Sequence, residues 1–134
     1  MKVLICGSRN YASEAAVAIK MNNLNRTRER ITEVIEGEAP GADTWGRMWA
    51  ESWGIPVMKF PANWNKYGKA AGPIRNQQML DEGKPDLVVA FVEGKLSESR
   101  GTRDMVTRAR KAGIEVIVIG TDDCPYQLTI EEEP

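Results

Sequence analysis

Three short segments combine glycine with groups that bind phosphate. They are Gly7-Ser8-Arg9, the stretch from Gly37 to Asp43 within EGEAPGADT, and Arg100-Gly101-Thr102. Glycine lets the backbone approach a ligand closely, hydroxyl and guanidinium groups bind phosphate, and the free N–H groups at a helix start attract anions. No segment is specific alone, because none is a Walker A loop or a full G-x-G-x-x-G fingerprint. Together they predict a site for a phosphate-bearing ligand.

Asp43 needs a separate explanation, because a carboxylate beside a bound phosphate repels it. We favour a helix-capping role or a contact with a ribose hydroxyl over catalysis. From the three segments we predict ligand contacts at Gly7, Ser8, Arg9, Gly37, Gly41, Ala42, Asp43, Arg100, Gly101 and Thr102.

A long connection, Pro61–Gly72, is a fourth candidate element, since loops of about 12 residues are uncommon in compact domains and tend to be functional. No acidic residue occurs between positions 61 and 80. Trp64 and Tyr67 could stack on a base or could pin the loop to the core. Arg75 falls in the first turn of a predicted helix, against the helix dipole, which indicates an anionic partner. This element adds Lys69, Arg75 and Asn76 to the predicted site.

Strand and helix patterns alternate along the chain. The predicted strands are Lys2–Cys6, Ile31–Glu36, Pro56–Phe60, Asp86–Val92 and Ile114–Ile119. The predicted helices are Ala12–Leu24, Ala42–Trp53, a helix that opens near Pro73 and ends before Gly83, and Thr102–Ala112.

This alternation predicts an α/β fold, a Rossmann-like, doubly wound parallel sheet with helices on both faces. The uninterrupted apolar run in Asp86–Val92 suits a central strand, and Pro56 suits an edge strand. We therefore predict the strand order 3-2-1-4-5. Ligands of such sheets bind beyond the carboxyl ends of the strands, where the three segments would meet. We predict one domain at 1–120 and a C-terminal extension at 121–134, with an acidic end and a short strand at 126–130.

Composition excludes several classes of protein. The chain has 134 residues, a net charge of -1 and no histidine, which removes Ser-His-Asp hydrolysis and His-ligated zinc. We predict no metal site and no cofactor. The charge argues against a general nucleic-acid coat, and the apolar runs are too short to span a membrane. Two cysteines make no disulfide framework, so we expect a cytoplasmic protein.

The ordered motifs resemble the YspA/YpsA-related branch of the SLOG superfamily. They are CGSR at 6–9, the GxxxGADT segment at 37–44, YGKAAGPIRN at 67–76 and RGTRDM at 100–105. The resemblance implies a Rossmann-like fold that binds nucleotides or nucleotide-derived ligands, in some members as sensors in phage and prokaryotic conflict systems. The superfamily also includes the lonely-guy phosphoribohydrolases and the DNA-binding protein DprA.

The resemblance leaves three functions open. The preferred one is a module that senses or sequesters a nucleotide-derived ligand. The first alternative is an N-glycosidic or phosphate-bond hydrolase in which Asp104 or Asp43 activates water. Lonely-guy enzymes carry P-G-G-x-G-T-x-x-E, whereas here the PGG is absent and Met105 replaces the glutamate, which weighs against this alternative. The second is DprA-like single-stranded DNA binding, which the net charge disfavours.

We also expect a homo-oligomer. The tryptophan stripe of the second helix, or the apolar fifth strand, would form the contact. The stripe consists of Trp45, Trp49 and Trp53.

Overall fold

A parallel sheet organises residues 1–120. The computed structural model describes residues 1–120 and shows five strands in the order β3-β2-β1-β4-β5. The strands are β1 (Lys2–Gly7), β2 (Glu33–Glu36), β3 (Val57–Lys59), β4 (Leu87–Val92) and β5 (Glu115–Gly120). The predicted fold class and strand order are confirmed. The predicted extension at 121–134, with its short strand, lies outside the described residues.

Burial explains the positions of the strands. Every residue of β4 is buried, because helices cover both faces of a central parallel strand. At one edge, β3 has only three residues and follows Pro56, which cannot donate a hydrogen bond to a neighbouring strand. At the other edge, β5 alternates between more and less buried residues.

Helical segments connect the strands. They are α1 (Glu14–Thr27), α2 (Ala42–Ser52), α3 (Trp64–Tyr67), α4 (Ala71–Gln78) and α5 (Arg100–Lys111), with 3-10 turns at Gly68–Ala70 and Leu96–Glu98 and a π turn at Met79–Gly83. Ser13 caps α1, because its Oγ accepts a hydrogen bond from the Ala16 N–H at 3.0 Å. Within residues 1–120, every helix is too short or too polar to cross a lipid bilayer.

The sheet separates two hydrophobic cores. Alternate residues of the central strands point to opposite faces, so Val3 and Val89 pack with α1 and α2, whereas Leu4 and Val88 pack with the π turn at Met79–Gly83 and with α5. This sandwich holds the N-termini of α2 and α5 above the carboxyl ends of the strands.

The segment predicted as a long open connection, Pro61–Gly72, is mostly helical, and that prediction was wrong. Asn63 caps α3 by accepting a hydrogen bond from the Lys66 N–H at 3.1 Å. The following helix α4 begins at Ala71, not near Pro73. Arg75 therefore lies beyond its first turn, and the dipole reason for placing Arg75 beside an anion does not apply.

The tryptophan stripe of α2 divides between the core and the surface. Trp49 is buried and its Nε1 donates to Asn22 Oδ1 at 2.8 Å. Trp45 donates from Nε1 to the Tyr11 carbonyl at 2.7 Å. Trp53 is 57% exposed, so this end of the stripe is available to a partner. The predicted homo-oligomer stays a prediction.

Candidate functional site

A cavity of about 820 Å³ opens above the carboxyl ends of β1 and β4, at the point where the winding of the sheet reverses. Its volume falls within the range of about 300–1,000 Å³ that is usual for small-molecule sites. The cavity brings together members of all four predicted elements. Predicted residues that line it are Gly7, Arg9, Asp43, Lys69, Asn76, Arg100, Gly101, Thr102 and Asp104.

The first segment closes tightly against its neighbours. A Cβ on Gly7 would lie 2.6 Å from the Cβ of Ala42 and would also collide with the Phe91 carbonyl, so only glycine fits. Ser8 is buried and its Oγ accepts a hydrogen bond from the Glu93 N–H at 2.8 Å. Ser8, which the sequence predicted as a phosphate contact, does not line the cavity but ties the loop after β1 to the end of β4.

Asp43 holds the second segment in place. Its Oδ2 accepts hydrogen bonds from the N–H groups of Gly37 at 3.0 Å and Ala39 at 3.2 Å. The cap of α2 is Gly41, which makes no side-chain capping bond, so the capping role predicted for Asp43 is wrong. Gly41 has φ 79, and a Cβ there would collide with the carbonyls of the first segment.

The sequence predicted that the backbone N–H of Ala42 binds an anion, but this group is already engaged within the protein. It donates to the carbonyl of Ser8 at 3.4 Å, since the first and second segments pack against each other. Gly37 likewise uses its N–H for Asp43, and its carbonyl accepts a hydrogen bond from Arg75. The second segment therefore contributes shape and one carboxylate to the cavity.

Arg75 is a positioning residue. Its Nη1 donates to the Gly37 carbonyl at 2.7 Å and its Nε donates to Asn76 Oδ1 at 3.0 Å. It does not line the large cavity. The guanidinium joins α4 to the loop after β2, which fixes one wall of the cavity.

A polar network joins α4 to the third segment. The Nδ2 of buried Asn76 donates to the Gly101 carbonyl at 3.2 Å and to Asp104 Oδ2 at 3.0 Å. Asp104 also pairs with Arg108, whose Nε lies 2.9 Å from the same oxygen. Thr102 accepts a hydrogen bond from the Ser99 hydroxyl at 2.9 Å. The network holds the N-terminus of α5 against the cavity.

Basic side chains at the rim of the cavity favour an anion there, and one carboxyl group lies inside the cavity. Arg9, Lys69, Arg100 and Arg103 contribute four basic side chains, all exposed. Burial raises the pKa of Asp43 to about 6, against the opposing effect of its two backbone hydrogen bonds.

Two buried ionisable groups, one in the cavity wall and one beside it, were missed from sequence. Cys6 lies at the cavity floor, where burial raises the pKa of its thiol. Glu36 ends β2 and is fully buried; burial raises the pKa of its carboxyl to about 7. An acidic residue at the carboxyl end of a buried strand, directly before a glycine, was the signal for Glu36. The described residues hold no cluster of three or more His, Cys, Asp or Glu arranged for a metal ion.

The strand order and the cavity at the winding reversal define a Rossmann-like α/β domain with a ligand-sized site. The model of the YspA, cpYpsA-related SLOG family matches residues 1–67. The chain is also 36% identical over 127 residues to the Gene 61 protein of Mycobacterium phage D29, covering 89% of this chain and 96% of that protein. The chain belongs to the YspA, cpYpsA-related SLOG family.

A solved structure, DNA processing protein A (DprA) from Streptococcus pneumoniae, is similar at a TM-score of 0.48 and 16% identity. The match covers 90% of this chain and 59% of that one.

Proposed function

We propose that this protein binds a nucleotide or nucleotide-derived small molecule and leaves it intact, as a sensor or sequestering module. The observation that carries the proposal is the cavity of about 820 Å³ at the carboxyl ends of the strands, lined from all four predicted elements. The phosphate would lie at the N-terminus of α5, where Arg100, Gly101 and Thr102 line the wall. Membership of the SLOG family supports the same ligand class.

The decisive experiment follows thermal unfolding with NAD, ADP-ribose, nucleoside monophosphates and cyclic nucleotides, and then identifies the small molecule after release by mass spectrometry. A ligand at one hundred times its Kd stabilises the folded state by about 2.7 kcal/mol. We expect a rise in Tm and recovery of the intact ligand. If no compound raises Tm, the proposal is wrong.

A matched pair of variants tests the placement of the phosphate. Arg100 lines the cavity, whereas Arg110 is exposed on the same helix and does not line it. Loss of a charge-assisted hydrogen bond in Arg100→Ala should weaken binding about tenfold. Arg110→Ala should bind as the wild type does. Equal weakening in both variants would indicate a general charge effect and contradict this placement.

Hydrolysis of the ligand is the second candidate, because Asp43 lines the cavity with a pKa near 6, where a general base works well at neutral pH. Both of its acidic candidates have structural partners: Asp43 holds two backbone N–H groups, and Asp104 pairs with Arg108. Released base or phosphate in the mass spectra would establish an enzyme. Asp104→Asn should then retain binding and lose turnover if Asp104 activates the water.

Single-stranded DNA binding is tested in the same series. An oligonucleotide held through phosphate contacts loses affinity steeply as salt increases. We expect no such binding, given the net charge of -1. Tight, salt-sensitive binding of the oligonucleotide would favour DNA over a small molecule.

A further inference from the structure

A second cavity, of about 390 Å³, adjoins the first above the loop after β2. Its lining consists of Arg9, Gly37, Glu38, Ala39, Pro40 and Trp64. Arg9, Ala39 and Trp64 also line the larger cavity. The two cavities therefore share a wall, and a ligand that fills the larger one can extend into the smaller one past these residues.

The shared wall carries a positive charge. The guanidinium carbon of Arg9 lies 5.6 Å from the centre of the Trp64 ring, in the range of a cation–π contact. Both side chains are exposed, so the guanidinium keeps donors for a ligand. A phosphate or diphosphate group that passes from one cavity to the other would pass beside Arg9.

The smaller cavity adds a negative charge beyond Arg9. Among the described residues that line it, Glu38 is the only acidic one. The Glu38 backbone is held in a left-handed conformation at φ 56, and its N–H donates to Glu36 Oε1 at 2.6 Å. A carboxylate repels phosphate and accepts hydrogen bonds from the neighbouring hydroxyl groups of a sugar, as acidic residues do at ribose sites of related sheets.

We propose that the ligand is a nucleoside diphosphate that carries a second sugar on its terminal phosphate, which deepens and rests on the proposed function. The nucleoside occupies the larger cavity with its first phosphate at the N-terminus of α5, the second phosphate lies beside Arg9, and hydroxyl groups of the second sugar donate to the Glu38 carboxylate. A nucleotide without that sugar leaves the smaller cavity unfilled.

Calorimetric titration with matched ligand pairs tests this ligand class. The pairs are ADP with ADP-ribose, UDP with UDP-glucose, and GDP with GDP-mannose, so that the unknown base preference does not decide the outcome. Within the pair whose base fits, we expect the compound with the second sugar to bind at least about tenfold tighter, because two hydrogen bonds to a carboxylate are gained.

Variants of Glu38 separate the sugar contact from general effects. Glu38→Gln removes the charge, and Glu38→Gly removes the side chain while suiting the left-handed backbone, so both should fold. Both should abolish most of the preference for the second sugar over the plain diphosphate. Glu51→Gln, at an exposed glutamate of α2, is the matched control and should keep the wild-type preference.

The outcomes distinguish the two proposals. Equal affinity for both members of a pair in the wild type would overturn the second-sugar proposal and leave nucleotide binding intact. An unchanged preference in both Glu38 variants would overturn the role of the smaller cavity. If no member of any pair binds, the ligand class proposed here is wrong; if the wider nucleotide panel also fails to bind, the proposed function falls with it.

Discussion

Replacement of Glu36 with glutamine should change how the stability of the domain depends on pH. Glu36 is fully buried at the end of β2; its Oε1 accepts the Glu38 N–H, and its Oε2 has no hydrogen-bond partner among the described residues. Burial, with a smaller contribution from the charge of Asp43, raises the pKa of Glu36 from 4.5 to about 7. A carboxyl group of this kind holds its proton more tightly in the folded state than in the unfolded chain.

The sign follows from proton binding. Between pH 4.5 and about 7 the folded state binds more protons at Glu36 than the unfolded state does, so the free energy of unfolding falls as pH rises. This loss of stability begins near the pKa of Glu36 in the unfolded chain and is complete above its pKa in the folded state. Between about pH 5 and pH 8 it amounts to about 2–3 kcal/mol. Asp43, with its pKa raised to about 6, contributes in the same direction.

Glu36→Gln retains an oxygen that can accept from Glu38 and cannot ionise. The variant should therefore not show the loss of about 2–3 kcal/mol that Glu36 causes in the wild type as the pH rises from 5 to 8. The difference in free energy of unfolding, variant minus wild type, should increase by that amount. Urea unfolding followed by tryptophan fluorescence measures this difference at each pH. Glu51→Gln, which replaces an exposed glutamate, is the control and should run parallel to the wild type. Parallel pH profiles for Glu36→Gln and the wild type would refute the reasoning.

Substitutions at two further positions test the walls of the cavity. Arg75→Met should destabilise the fold by about 2–3 kcal/mol and weaken ligand binding, because Gly37 and Asn76 lose a charged donor. Arg75→Lys should not restore the wild-type stability, since one ammonium cannot reproduce the two directed bonds; full restoration would contradict a positioning role. Gly7→Ala should lower the free energy of unfolding by about 2 kcal/mol or more, because its Cβ collides with the Phe91 carbonyl. An unchanged urea midpoint for Gly7→Ala would show that the backbone can accommodate a Cβ beside the Phe91 carbonyl and would contradict this reasoning.

The sequence alone was sufficient for the architecture. Apolar runs such as Leu87–Val92 and the alternation of strand and helix patterns indicate a parallel sheet, because burial on both faces requires continuous apolar strands. Pro56 placed β3 at an edge for a local reason, the missing N–H group. The cavity location also followed, because parallel strands bring their carboxyl ends to one side of the sheet.

Local patterns were less reliable within Pro61–Gly72. The sequence analysis treated this segment as a long loop, whereas one short helical turn between Asn63 and Gly68 leads into α4. Helix starts depend on capping bonds and on packing against the rest of the chain. As a result, the predicted start near Pro73 was two residues late, and the dipole argument about Arg75 failed with it.

The roles of individual polar residues were decided only by tertiary structure. Sequence composition identified Ser8, Asp43 and Arg75 as groups suited to a ligand, and each has a partner within the protein. Ser8 meets a backbone N–H 85 positions away and Arg75 meets a carbonyl 38 positions away. Residue type determines what a group can bind, but long-range packing decides whether a partner inside the fold occupies it first. Arg9, Lys69, Arg100 and Glu38 stay exposed at the cavities, so they are among the groups available to a ligand.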